Sequence, residues 1–146
     1  MTRGQRNHNP CNVRHGSKWK GLSCKQGDKD FCQFISDYYG VRAAMIVLNT
    51  YVTKYKLHTI RDIISRWAPA KDGNHTEAYV LSVDIAMRRK FGTADVTIEL
   101  ECFKPDHPYC HDVLYVLMSA MCQIESKYML ERKLFDAVLT NTFIKS

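Results

Sequence analysis

Glu125 closes a strongly apolar stretch, Leu114 to Ile124, and is followed by Ser126. A carboxyl group half removed from water at the negative end of a helix has its charged form disfavoured twice. That raises its proton affinity, which a general acid at neutral pH needs. Spacing alone favours the plainer reading, a solvated Glu125 paired with Lys127 or Arg132. A second group is Asn7-His8-Asn9-Pro10-Cys11-Asn12-Val13-Arg14, with Trp19-Lys20-Gly21 and Phe31-Cys32-Gln33-Phe34 after it. Asparagine amides donate and accept, and an Asn-Pro step sets a turn. Such a cluster beside aromatics suits a sugar or peptide surface, although asparagines in loops more often satisfy their own backbone.

Other groups are weaker. In Tyr38-Tyr39-Gly40-Val41-Arg42, Gly40 permits close backbone approach and Arg42 offers a planar fork to a carboxylate. A structural ion pair is the commoner use of such an arginine. Trp67 in Ser65-Arg-Trp-Ala-Pro69 and Tyr79 in Asn74-His-Thr-Glu-Ala-Tyr79 suit either core packing or a groove wall, since each ring has one polar end. Cys102, His107, Cys110 and His111 lie within ten positions, but their spacing matches no common zinc pattern. No metal or cofactor is expected. The six cysteines, in a chain with no recognisable apolar leader after Met1, read as reduced and mostly buried thiols rather than disulfides.

These residues need a scaffold. The chain has 146 residues, 45% hydrophobic and 25% charged, which predicts one globular domain and excludes disorder and low complexity. No apolar run approaches the roughly 20 residues that span a bilayer. The formal charge of +6 favours polyanionic partners without choosing among them. Residues 1–29 carry seven lysines and arginines against one acid, Asp28. Nucleic acid ranks last as a partner, because no helix-turn-helix or zinc-finger signature accompanies that arm.

Residues 1–35 show neither helical nor strand period and read as a polar loop region with a short strand. The helical body spans 36–139. Val41, Ala44, Met45, Leu48, Val52 and Tyr55 give one helix a continuous apolar face. Thr59 caps the next, with Ile60, Ile63, Ile64 and Trp67 inward and Ala68-Pro69 as its stop. Thr76 is expected to cap a third, with Tyr79, Val80, Val83, Met87 and Phe91 inward and Gly92 ending it. The alternation of Asp95 to Glu101 suggests a short strand. A fourth helix is expected over His111–Ser126, with Ile124 on its apolar side. A fifth runs from Met129 to Leu139, with Leu130, Leu134, Ala137 and Val138 together. The class is mainly α.

Read in order, Arg6-Asn-His-Asn-Pro-Cys-Asn-Val-Arg14, Trp19-Lys-Gly21, Phe31-Cys-Gln-Phe34, Tyr39-Gly-Val-Arg-Ala43, Thr59-Ile60, Ile63-Ile-Ser-Arg-Trp-Ala-Pro69 and Thr76-Glu-Ala-Tyr79 resemble a family of phage and prophage proteins of Gram-negative bacteria, labelled virion or structural protein. The set is also similar to the lytic enzyme of double-stranded RNA phages, whose fold is akin to lytic transglycosylases. The likeness covers residues 3–91 and, more loosely, 111–126. Two departures stand out: Cys11 replaces the usual glycine, and the loop at 70–74 lacks the usual Glu-Asn. The order of elements also resembles a circularly permuted glucosaminidase, which would bring Glu125 beside the Asn9–Arg14 loop.

The resemblance implies a lysozyme-like domain over 1–146 that degrades peptidoglycan. Glu125 would protonate the glycosidic oxygen, and Asn9, Asn12, Arg14, Trp19, Tyr39, Arg42, Trp67 and Tyr79 would hold the glycan. Two carboxyls about 5–9.5 Å apart would make a hydrolase, with Asp37 or Asp72 as the second. A transglycosylase needs only one. Cleavage of cross-link peptides, or a non-catalytic virion or wall-binding role on the same fold, are the alternatives. On this reading the chain is made in the bacterial cytoplasm and acts at the wall or travels in a phage particle beside other virion proteins.

Overall fold

The computed structural model describes residues 1–145, and they are mainly helical. Six α-helices follow one another: α1 (Arg3–Arg6), α2 (Asp37–Thr53), α3 (Ile60–Trp67), α4 (Thr76–Phe91), α5 (Pro108–Ser126) and α6 (Arg132–Leu139). Short 3₁₀ turns lie at Ala70–Asp72 and Leu100–Phe103, and a π turn extends α6 over Thr140–Ile144. The chain divides into two compact units. Residues 1–47 with the segment from Met121 onward make the first; Leu48–Ala120 make the second. The limits fall inside α2 and α5.

In the first unit the polar N-terminal region is more ordered than its composition suggests. Thr2 and Gln5 form a reciprocal capping box, so four residues that lack any apolar period close as α1. The strand expectation reduces to two isolated antiparallel bridges, Arg14 with Phe31 and Leu22 with Phe34. Asp28 organises the turn between them. Its carboxylate accepts from the Arg3 guanidinium at 2.6 and 2.7 Å, from Asn7 Nδ2, and from the backbone N–H groups of Asp30 and Phe31. The Arg3 bond and those further donors hold it well below the usual carboxylate range.

The first unit's core collects Cys11, Val13, Cys32, Phe34, Val41, Ala44, Met45, Met121, Cys122, Leu130, Phe135, Val138 and Leu139. Gly40 is buried on α2, where a Cβ would overlap the His8 carbonyl. In α6 the buried side is Phe135, Val138 and Leu139, while Ala137 is exposed and Leu134 half-buried. The face is therefore turned from the expected one. The helix starts at Arg132 rather than Met129, and Met129 is 82% exposed.

In the second unit Thr59 caps α3 as expected, its hydroxyl accepting from the Asp62 N–H at 3.1 Å. Ile60, Ile63 and Ile64 are buried. Thr76 does not cap α4. It is the first helical residue, and its hydroxyl donates to the Ala68 carbonyl at 2.6 Å, tying the helix start to the preceding helix end. Tyr79, Val80, Val83 and Met87 form the inner face, and Gly92 ends the helix at φ 76°, where glycine costs least. Phe91 stays half-buried with its ring edge-on to Tyr109 at 5.4 Å.

Residues 95–99 alternate as read, with Val96 and Ile98 buried, but pair only at Thr59–Thr97. The Ile98 N–H donates to the His58 carbonyl at 2.8 Å. A 3₁₀ turn then takes over at Leu100, so no named strand forms. Helix α5 starts at Pro108 rather than His111; proline at a first helical position loses no intrahelical bond. Its buried side includes Met121 and Cys122, while Ile124 is 39% exposed rather than inward.

Candidate functional site

The Asn7–Arg14 loop and the end of α5 come together in the first unit. Asn9 is fully buried: its amide donates to the Val13 and Cys32 carbonyls, both at 2.9 Å, and its oxygen accepts from the Val13 N–H at 2.8 Å. Those three bonds use most of what an asparagine side chain can offer. Asn12 sits at φ 54°, in the left-handed region that asparagine tolerates better than most residues. That turn aims its amide at Glu125, donating to Oε1 at 3.0 Å and to the backbone carbonyl at 3.2 Å. Asn12 Oδ1 is buried and has no partner among the described residues. Glu125 is half-buried on the last turn of α5. The structure thus brings the sequence-nominated acid beside the asparagine loop.

The end of α5 is held from the N-terminal side. Thr2 Oγ1 donates to the Ser126 carbonyl at 2.8 Å, and Gln5 Nε2 donates to the carbonyls of Ser126 and Lys127 at 3.0 and 3.1 Å. These donors meet carbonyls that a helix end leaves without intrahelical partners. Ser126 itself is buried against Gly4, where a side chain would overlap its hydroxyl.

The same unit holds a constellation that spacing did not reveal. Asp37, at the start of α2, accepts from Tyr128 OH at 3.1 Å and pairs with His8 Nδ1 at 2.8 Å. Burial and the adjacent Asp37 carboxylate push the Tyr128 phenol up, so it remains a donor at neutral pH. His8 lies at φ 51° and Lys127 at φ 50°. Three non-glycine residues in the left-handed region therefore cluster in sequence around one loop and one helix end. The partners in this chain are 29 and 91 residues apart, and no motif joins them.

The remaining nominated residues of this unit are dispersed in role. Arg14 is exposed, its guanidinium 5.1 Å from the Phe31 ring centroid. Trp19 is half-buried, and its indole nitrogen has no partner among the described residues. Tyr39 lies where a side chain at Gly21 would overlap its ring, edge-on to Tyr38 at 5.2 Å. Arg42 is half-buried, and no ion pair to it is found among the described residues.

In the second unit Trp67 lies edge-on to Tyr51 at 6.2 Å, and Tyr79 is 7% exposed, a core residue. Asp72 lines an open depression of about 710 Å³ with Tyr51, Asp62, Ser65, Arg66 and Lys71. Arg66 stacks 3.7 Å over the Tyr55 ring. In the Cys102–His111 segment, burial pushes the Cys102 thiol up to about 12 and His111 Nε2 is bonded to the Lys104 carbonyl. Among the described residues no three His, Cys, Asp or Glu side chains converge on a point.

No family model matches the chain. It is 42% identical over 82 residues to Protein P5 of Pseudoalteromonas phage PM2, a match covering 53% of this chain and 51% of that protein. The chain thus matches about half the length of this curated relative. That similarity supports a bacteriophage origin for the sequence.

Proposed function

We propose that this chain is a non-catalytic phage virion protein that binds other virion components. The observation that carries this reading is the internal use of polar groups suited to gripping a glycan. Asn9 is closed on the backbone of Val13 and Cys32, the Asn12 amide nitrogen is spent on Glu125, and Tyr79 is core. Apolar side chains are meanwhile left in water: Met129 at 82% in the first unit, Leu81 at 57% and Ile85 at 40% on one side of α4 in the second. Exposed apolar area of this kind is useful where another protein covers it. The phage relative adds to this reading. The test is mass spectrometry of gradient-purified particles from a producing host. The chain should co-purify in fixed ratio to the major coat protein; its absence from particles would refute the role.

Glycan-strand cleavage on a lysozyme-like fold is the second reading, favoured by the Asn12–Glu125 pair. There Glu125 would act as the acid and Asn12 would orient it. Purified protein would then clear isolated cell walls, and Glu125→Gln would abolish the clearing without lowering Tm by more than a few degrees. Clearing that survives the substitution removes Glu125 from the chemistry. Absence of clearing by folded wild-type protein leaves the binding role.

A further inference from the structure

Cys11 and Cys122 stand 111 residues apart in sequence, yet their sulfurs are 3.5 Å apart in the first unit. Both side chains are fully buried. The backbones that carry them are docked independently of the sulfurs. Asn12, next to Cys11, is bonded to Glu125, one turn beyond Cys122. The Cys122 carbonyl also accepts the Tyr128 N–H, and the Asn9 carbonyl accepts the Asn12 N–H. A disulfide sulfur–sulfur bond is about 2.05 Å, so closure asks for roughly 1.5 Å of sulfur approach. The torsions that move the sulfurs are those about the two Cα–Cβ bonds. Cys24 is exposed and Cys32 faces the Arg14 carbonyl, so neither competes for either thiol in this arrangement.

We propose that Cys11 and Cys122 are a disulfide-forming pair, closed by a low-molecular-weight disulfide and locking the N-terminal loop to the end of α5. Attack by one thiolate on the oxidant, RSSR, forms a protein–SR mixed disulfide and releases RS⁻. The second cysteine, as thiolate, then displaces the other RS⁻ and forms the protein disulfide. Two protein thiols lose two electrons and two protons, and RSSR becomes two RSH. In the reduced protein the pair shares an S–H···S contact in a dry site. The shared proton and burial hold Cys11 as a thiol. Exchange therefore requires transient opening in the native protein and is fast when the chain folds in the oxidant's presence. The inference stands independently of the virion reading.

The test uses the full chain and oxidised glutathione. One sample is refolded in a glutathione redox buffer and one in excess reductant. Both are alkylated under denaturing conditions, digested and mapped by mass spectrometry. The oxidised sample should yield a peptide pair linking Cys11 to Cys122, two hydrogens lighter than its parts. It should also melt higher by on the order of 10 °C, as expected for a crosslink closing so long a loop. Cys24→Ser should keep both effects, and Cys122→Ala should lose both. If Cys122→Ala does not fold, the wild-type peptide map decides alone. Separate alkylated Cys11 and Cys122 peptides after oxidation, or linkage of either to another cysteine, would overturn the proposal.

Discussion

Asn12 is the residue on which the candidate site turns. Its left-handed backbone and its amide bond to Glu125 are one arrangement, so two substitutions separate them. Asn12→Gly removes the bond but relieves the backbone. Asn12→Ala removes the bond and puts a Cβ where it is least welcome, adding about 1 kcal/mol of cost. Chemical denaturation should rank the proteins wild type, Asn12→Gly, Asn12→Ala in falling stability. Equal losses would mean the backbone strain is not real. Glu125 could be picked out in the sequence because an acid that ends an apolar helix is visible from that helix alone. The sequence hid the His8–Asp37–Tyr128 set because hydrogen bonds across 29 and 91 residues leave no period. Asn9 was legible as a polar loop residue, but not as a buried one. Its three backbone bonds are decided by how the loop folds back, which its neighbours in sequence do not state.

Among the elements, Gly40 in α2 offers a clear contest of magnitudes. Alanine is the better helix former by up to about 1 kcal/mol. A methyl there meets the His8 carbonyl and the Asn9 backbone, and overpacking of that kind typically costs about 1–3 kcal/mol. The overlap wins, so Gly40→Ala should lower the unfolding free energy in urea melts. The two threonines at helix starts give a second comparison. Thr59→Ala should cost about 1 kcal/mol through loss of the cap on α3. Thr76→Ser keeps the hydroxyl that donates to Ala68 and should cost less than Thr76→Val, which deletes it. Helix existence was legible throughout α2 to α5, where a three-to-four residue apolar period overrides local detail. The short strand at 95–101 was misread because alternation reports which side is buried, while a strand also needs a neighbour to pair with. The inner face of α6 was misassigned because Leu134 and Phe135 are adjacent apolar residues, and only packing chooses between them.

For the whole molecule, the +6 charge is not all on offer to a polyanion. Arg3 is committed to Asp28 and Asp30, and Arg6 donates to the Met1 carbonyl. The uncommitted part of the basic arm is chiefly exposed lysine, at Lys18, Lys20, Lys25 and Lys29. Asp28 links that arm to acid stability. A carboxylate whose proton affinity is depressed in the folded state stabilises the fold fully above its unfolded pKa, about 3.9. The benefit is lost as pH falls from there toward the folded value. Thermal melts of wild type should hold steady near neutrality and drop below about pH 4. Asp28→Asn should melt lower at pH 7 and show a shallower acid decline, and identical profiles would refute the linkage.

The first unit is assembled from two separate segments, residues 1–47 and the segment from Met121 onward, whereas the second is one unbroken stretch, Leu48–Ala120. A ribosome makes the chain in one direction, so the two do not become foldable together. The stretch Leu48–Ala120 has its own internal contacts available once residue 120 has emerged. The residues that cap α1, enclose Cys11 and aim Asn12 find Ser126, Cys122 and Glu125 only after those later residues have been added. Until then Val13, Phe34, Val41 and Met45 lack part of their apolar cover. A nascent chain stalled short of residue 121 would therefore expose sticky surface within residues 1–47, and that interval is where a chaperone would act.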